Sequence, residues 1–341
     1  MTDSTYDVDA GPGRVCPVDY RYAPSTLDRP ADLNAETLYV IGGLYGNPFA
    51  LDAVLSLRDT EQGSPLLVFN GDFNWFNVGA SEFARINESV LAHAATRGNV
   101  ETELARSNAQ AGCGCAYPEW VEDDVVEHSN AIMLRLRLAA DAHPSLTGRL
   151  AGLPMYAVAD VGGVRIAVVH GDAESLAGWG FSQEALRDSA RLAAVAGHFA
   201  EARVRVFACT HTCLPVCQTL QLPCGPCVVI NNGAAGMPNF RDTRFGLVTR
   251  ISVRPPDEGM SLFGAVVDGV HVDALAVRYD HDAWCAAFVA LWPPGSPGYV
   301  SYYDRLVNGP DFTLAQAVRG DDVTRQPALA RGVRRTPGRT L

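Results

Sequence analysis

Leu66-Leu67-Val68-Phe69-Asn70-Gly71-Asp72 is an apolar, partly β-branched run that stops at a glycine and a carboxylate. Preceded by Ser64-Pro65, it reads as a strand buried on both faces. Gly71 lets the chain turn and leaves Asp72 at the strand's carboxyl end, the edge where ligands bind in open α/β sheets. The pattern recurs along the chain. Apolar stretches at 37–43, 164–170 and 204–207 lead into Gly42-Gly43, His170-Gly171-Asp172 and Thr210-His211-Thr212. A fifth, 228–230, runs into Asn231-Asn232-Gly233, and Arg97-Gly98-Asn99 follows a helical stretch. These polar ends can converge on one cluster: Asp72, Asn99, His170 and His211. One carboxylate, one amide oxygen and two imidazoles suit a divalent transition metal such as manganese, iron, zinc or nickel. Taken singly, each residue has a plainer reading. Asp72 fits a turn, His170 a satisfied core histidine and Asn99 a helix cap; their joint occurrence points to a metal.

The totals set limits on partners. The 341 residues are 48% hydrophobic, enough for a substantial core in one large or two smaller domains. A net charge of −11 argues against nucleic acid as an obligate partner, because phosphate backbones require clustered Lys and Arg. No run reaches the ~20 apolar residues of a membrane span. The first residues lack the basic-then-apolar layout of a secretory signal, so a cytoplasmic location is expected.

Around the strands, residues 1–35 read as an irregular arm. Asn47 caps a helix with Pro48 in its first turn. Ser81 opens a helix to about residue 95 that ends at Thr96-Arg97-Gly98-Asn99. Residues 101–153 form a mostly helical insertion, broken at Gly112-Cys113-Gly114-Cys115 and placed to cap the strand ends. Gly162-Gly163 joins 155–161 to 164–170 as a hairpin. An alanine-rich helix runs from Ser182 to about residue 202. Stretches 214–222 and 227–230 pair around Pro223-Cys224-Gly225-Pro226, and strands follow at 246–253, 262–267 and 270–278. The main domain spans 36–280, a helical C-terminal extension 281–317, and an unstructured tail 318–341.

The ordered motifs resemble those of calcineurin-like metallophosphoesterases of the compact bacterial phosphodiesterase type. That family reads Asp-x-His-Gly-Asn, Gly-Asp, Gly-Asn-x-(Asp/Glu), His-Gly, Gly-His-Thr-His and Asn-Pro-Gly-Ser. Here stand Gly43-Leu44-Tyr45-Gly46-Asn47, Gly71-Asp72, Gly98-Asn99-Val100-Glu101, His170-Gly171, Thr210-His211-Thr212-Cys213 and Asn231-Asn232-Gly233-Ala234. The resemblance implies a four-layer α/β/β/α sandwich with a C-terminal extension. It also implies metal-dependent hydrolysis of a small-molecule phosphomonoester or phosphodiester. Of two metals in the family, the second site's ligands are all present as Asp72, Asn99, His170 and His211. The first site's private ligands are all replaced, by Gly43, Tyr45 and Cys213. A register that sets Cys209 and His211 on the two histidine positions is disfavoured by Leu214-Pro215 after Cys213. About one metal per chain is therefore expected, with Tyr45 and Cys213 as ferric-type donors if the first site is remodelled rather than empty. Val100 stands where some relatives carry a proton-donating histidine. Two rival readings follow: a non-catalytic binding descendant, and a thiol-iron site with other chemistry.

Nine cysteines cannot all pair within one chain, and in a reduced compartment they read as thiols or ligands. Cys224-Gly225-Pro226-Cys227 spells the thioredoxin tetrapeptide but lies at a hairpin, without the helix N-terminus that lowers a thiol pKa. Cys209, Cys213, Cys217, Cys224 and Cys227 could supply a zinc or iron site, against the plainer reading of small apolar core residues. Cys113 and Cys115, after Asn99, could overhang the metal cluster.

Overall fold

The computed structural model describes residues 11–106, 110–320 and 323–325. Two short 3₁₀ turns, Val18–Tyr20 and Pro24–Leu27, lead to β1 (Leu33–Ala35) and β2 (Thr37–Ile41). Helix α1 (Pro48–Thr60) starts where expected: the Asn47 side chain accepts from the amides of Phe49 and Ala50, and Pro48 fills the first turn. Next come β3 (Leu66–Asn70), α2 (Ala80–Val90), β4 (Ala94–Thr96) and α3 (Asn99–Ala105). The insertion continues through α4 (Asp123–Asp141) and α5 (Pro144–Ala151) into the hairpin β5 (Tyr156–Val161) and β6 (Val164–Val169). Helix α6 (Ser189–Ala202) precedes β7 (Val206–Cys209), β8 (Val216–Leu222) and β9 (Gly225–Asn231). Strands β10 (Gly246–Ser252), β11 (Ser261–Val267) and β12 (Val270–Val277) end the domain. Helices α7 (His281–Leu291), α8 (Pro297–Asn308) and α9 (Leu314–Ala317) lead to β13 (Val318–Arg319) and β14 (Thr324–Arg325).

Among the described residues the strands form two mixed sheets, β1-β5-β6-β7-β9-β8-β13 and β14-β11-β12-β10-β2-β3-β4. Period-2 alternation builds the layers. Leu38, Val40, Val68, Ile166, Val168, Val228 and Ile230 point between the sheets and form the middle core. Their neighbours point outward: Tyr39, Ile41, Leu67 and Phe69 under α1, α2 and α4, and Ala167, Val169 and Phe207 under α6. Both faces of each sheet are thus covered, the four-layer α/β/β/α sandwich.

Several local expectations are corrected. The helix opened near Ser81 stops at Val90, and Ala94–Thr96 becomes an edge strand parallel to β3. Ala94-Ala95-Thr96 is too short to carry its own signal, and pairing decides it. Asn99 consequently begins a helix rather than ending one, with Gly98 as its cap. The alanine-rich helix starts at Ser189 behind an Asp188 cap, not at Ser182. The arm before residue 36 contributes β1, which pairs parallel with β5. Residues beyond 318 were expected to be unstructured. Val318–Arg319 instead pairs with β8 and Thr324–Arg325 with β11; the remainder of that tail lies outside the described residues. Among the described residues, no helix is long and apolar enough to cross a membrane.

Candidate metal centre

The carboxyl ends of β3 and β4 in one sheet face those of β6 and β7 in the other, and the four expected donors meet across that rim. His170 Nε2 lies 3.3 Å from Asp72 Oδ2, 3.2 Å from Asn99 Oδ1 and 3.2 Å from His211 Nδ1. All four residues are buried.

Outer contacts decide which atoms face the centre. His170 Nδ1 is 2.9 Å from the Asn70 carbonyl, and His211 Nε2 is 3.0 Å from the Cys115 carbonyl. A carbonyl only accepts, so each of these nitrogens carries the proton and the opposite nitrogen presents a lone pair. Asn99 Nδ2 donates to the Cys113 carbonyl at 2.9 Å, turning Oδ1 inward. Asp72 Oδ1 accepts from the Val100 amide at 3.2 Å, leaving Oδ2 to the cluster. Two oxygens and two imidazole nitrogens thus aim lone pairs at one another with no proton among them when both histidines are neutral. Such a donor set fits a divalent transition metal, and Asp72, His170 and His211 are a candidate group for one.

In the metal-free chain the charges divide the two histidines. Burial works against a charged His170, but the adjacent Asp72 carboxylate overrides it and raises its pKa. Burial and the neighbouring His170 push His211 down to about 4. Burial also opposes ionised Asp72, yet the two histidines hold it below the usual carboxylate range. Glu101 buttresses the loop: its carboxylate accepts from the amides of Asp72 (2.7 Å), Gly98 (3.0 Å) and Asn74 (3.2 Å). Burial, then Asp72, raises Glu101 to about 7. Gly98 is required here, because a Cβ on it would run into the Asp72 carboxylate.

The residues at the first-site positions are arranged differently. The Tyr45 hydroxyl and the Cys213 sulfur lie 2.7 Å apart and bond each other. A Cβ on Gly43 would approach the Tyr45 ring to 2.9–3.0 Å, and Gly43 sits at φ +63°. The Tyr45 ring therefore fills the space a side chain at position 43 would need. Tyr45, Asp72 and Cys213 all hold positive φ (53°, 49° and 59°), a clustering of backbone strain typical of functional sites. Burial raises the pKa of both the Tyr45 hydroxyl and the Cys213 thiol in the metal-free chain.

Three features escaped the sequence reading. Cys113 and Cys115 are joined in a disulfide, where thiols were expected; their Cα atoms are 5.4 Å apart across Gly114. Their carbonyls orient Asn99 and His211, and Trp179 Nε1 donates to the Cys115 carbonyl at 3.0 Å. Tyr302 and Arg305 arrive from α8: Tyr302 lines the pocket, and Arg305 donates to the Cys213 carbonyl at 2.7 Å. Over the donors lies a small cavity of about 50 Å³, walled by Trp75, Tyr117, Trp179 and Tyr302, with no Lys or Arg in its lining. A cysteine cluster does not form. Cys209 packs under α6, Cys217 lies between the sheets and Cys224 is exposed. Cys224 and Cys227 keep sulfurs 3.8 Å apart at the β8–β9 hairpin, and burial pushes Cys227 up to about 12.

No protein-family model matches the chain. No curated protein matches it either. Solved structures do. A hypothetical protein from Pyrococcus horikoshii OT3 is similar with a TM-score of 0.53 at 16% identity, over 81% of this chain and 99% of that one. A metallophosphoesterase from Sphaerobacter thermophilus is similar with a TM-score of 0.48 at 19% identity, over 81% of this chain and 100% of that one. The likeness to the Pyrococcus protein is one of fold: two face-to-face mixed sheets with outer helices. Within that fold Asp72, His170 and His211 form a candidate metal-binding triad.

Proposed function

We propose that this protein is a metal-dependent phosphoesterase that works with one divalent metal, held by Asp72, Asn99, His170 and His211. The observation that carries this reading is the convergence of four inward lone pairs, the other three 3.2–3.3 Å from that of His170 Nε2, with Asp72, Asn99 and His211 lining a small cavity. A divalent metal there supplies positive charge that polarises a phosphoryl oxygen and makes water a better nucleophile near neutral pH. The chain's own residues do the rest. Asp72 and Asn99, fixed by the Val100 amide and the Cys113 carbonyl, hold the donors on one side. His170 and His211 hold the other, locked in tautomer by Asn70 and Cys115. Trp75, Tyr117, Trp179 and Tyr302 limit water and give the substrate an apolar wall. The substrate class is a small phosphomonoester or phosphodiester, and manganese, iron, zinc and nickel all suit the donors.

The test is hydrolysis of an aryl phosphate monoester and diester by the full chain, metal-free and after loading with each of these metals. Activity should require metal and be lost in His170→Ala and His211→Ala while the circular dichroism spectrum is kept. A double variant as active as wild type would sink the site. The filled first site, with Val100 beside Asn99, supports the second reading, a binding protein that keeps one metal. Metal bound at one per chain with no turnover of either ester would favour it.

A further inference from the structure

Tyr45 brings a hydroxyl donor to the pocket that rests on a weak acceptor. Among the described residues its hydroxyl meets one partner, the Cys213 sulfur at 2.7 Å. The Cys213 thiol directs its own proton to the His211 carbonyl at 3.3 Å, so Tyr45 is the donor of the pair. A thiol sulfur is a weak acceptor, and a phosphoryl oxygen is a strong, charge-assisted one. The backbone fixes the position: the Tyr45 amide donates to the Asp72 carbonyl at 3.1 Å, and the Phe76 amide donates to the Tyr45 carbonyl at 3.2 Å. Tyr45 shares the roughly 50 Å³ cavity with Asp72, Asn99 and His211. Tyr45 therefore lines the same space as the donors, and no Lys or Arg lines the cavity to compete for an anion there.

From this juxtaposition we infer that Tyr45 is a substrate-binding residue: its hydroxyl leaves the Cys213 sulfur and donates a hydrogen bond to the phosphoryl group, as a neutral donor in the space beside Gly43. This rests on the phosphoesterase reading and extends it. Donors aimed at the charge of a phosphoryl group stabilise it most where water is scarce.

The experiment is calorimetric titration of inorganic phosphate into the manganese-loaded full chain, with metal content measured in parallel. Tyr45→Phe keeps the ring against Gly43, so metal per chain and melting temperature should match wild type. Its phosphate Kd should rise about 10- to 100-fold, the loss expected for one hydrogen bond to a charged group. Cys213→Ala removes the resting acceptor and should leave phosphate binding as tight as wild type or tighter. Unchanged phosphate affinity in Tyr45→Phe overturns the inference and leaves the phosphoesterase reading standing. So does loss of metal in that variant, which would make Tyr45 a ligand. A wild-type protein that loads metal but binds no phosphate overturns both.

Discussion

His170 Nε2 and Asp72 Oδ2 lie 3.3 Å apart, although the two residues end strands of different sheets. The contact ties the two sheets at their rim, and both residues belong to the candidate metal-binding triad. His170→Ala should therefore lower metal content from about one per chain to near zero, while urea unfolding stays cooperative. Retained metal at wild-type affinity would show that the cation sits elsewhere.

Gly43 and Tyr45 are coupled by the space they share. Gly43→Ala places a Cβ 2.9–3.0 Å from the Tyr45 ring at a positive φ, and should destabilise the protein by about 1–3 kcal/mol. Part of that cost should vanish in a Tyr45→Ala background. A double-mutant cycle by chemical denaturation reads the coupling, and strict additivity would contradict the contact.

The Cys113–Cys115 bridge shapes the turn whose carbonyls hold Asn99 and His211. Outer partners of metal ligands are commonly worth 10- to 100-fold in affinity. Replacing both cysteines with serine, or reducing the bridge with a dithiol, should weaken metal binding by about that factor without unfolding the chain. Equal metal affinity in the oxidised, reduced and serine forms would show that the turn holds its shape unaided.

Glu61, half-buried, and Arg250, buried, form a bidentate pair at 2.7 and 2.9 Å, and the Tyr39 hydroxyl donates to the same carboxylate at 2.6 Å. The Arg250 hydrogen bond leads in holding the Glu61 pKa below its ordinary value of 4.5. A carboxylate depressed in the folded state stabilises it above its unfolded pKa, and that stability is lost as pH falls through the folded value. Glu61→Gln leaves Arg250 buried without a counter-charge. It should cost about 3 kcal/mol at neutral pH, with the difference from wild type shrinking below about pH 4.5. A pH-independent difference in unfolding free energy would rule out this pair as an acid-sensitive contact.

Residues 37–280 carried much of their own reading. Two-sided apolar strands ending in Gly-Asp, His-Gly or Asn-Asn are local patterns, and the backbone turns they require are local too. The order of those ends along the chain sufficed to single out Asp72, Asn99, His170 and His211, which the structure brings together. What sequence could not supply lies in contacts between distant segments. Ala94-Ala95-Thr96 is a strand only because β3 offers an edge, and Val318–Arg319 only because β8 does. Tyr45 and Cys213 read more readily as replacements that empty the first site than as its ligands, and their 2.7 Å contact across 168 residues of chain carries no sequence signal. The carbonyls of Cys113 and Cys115 carry no side-chain signature, so their hold on Asn99 and His211 is invisible before folding. Local periodicity and turn chemistry placed the donors at strand ends. Tertiary packing decided which lone pairs face inward, because that depends on which acceptor takes each donor's proton.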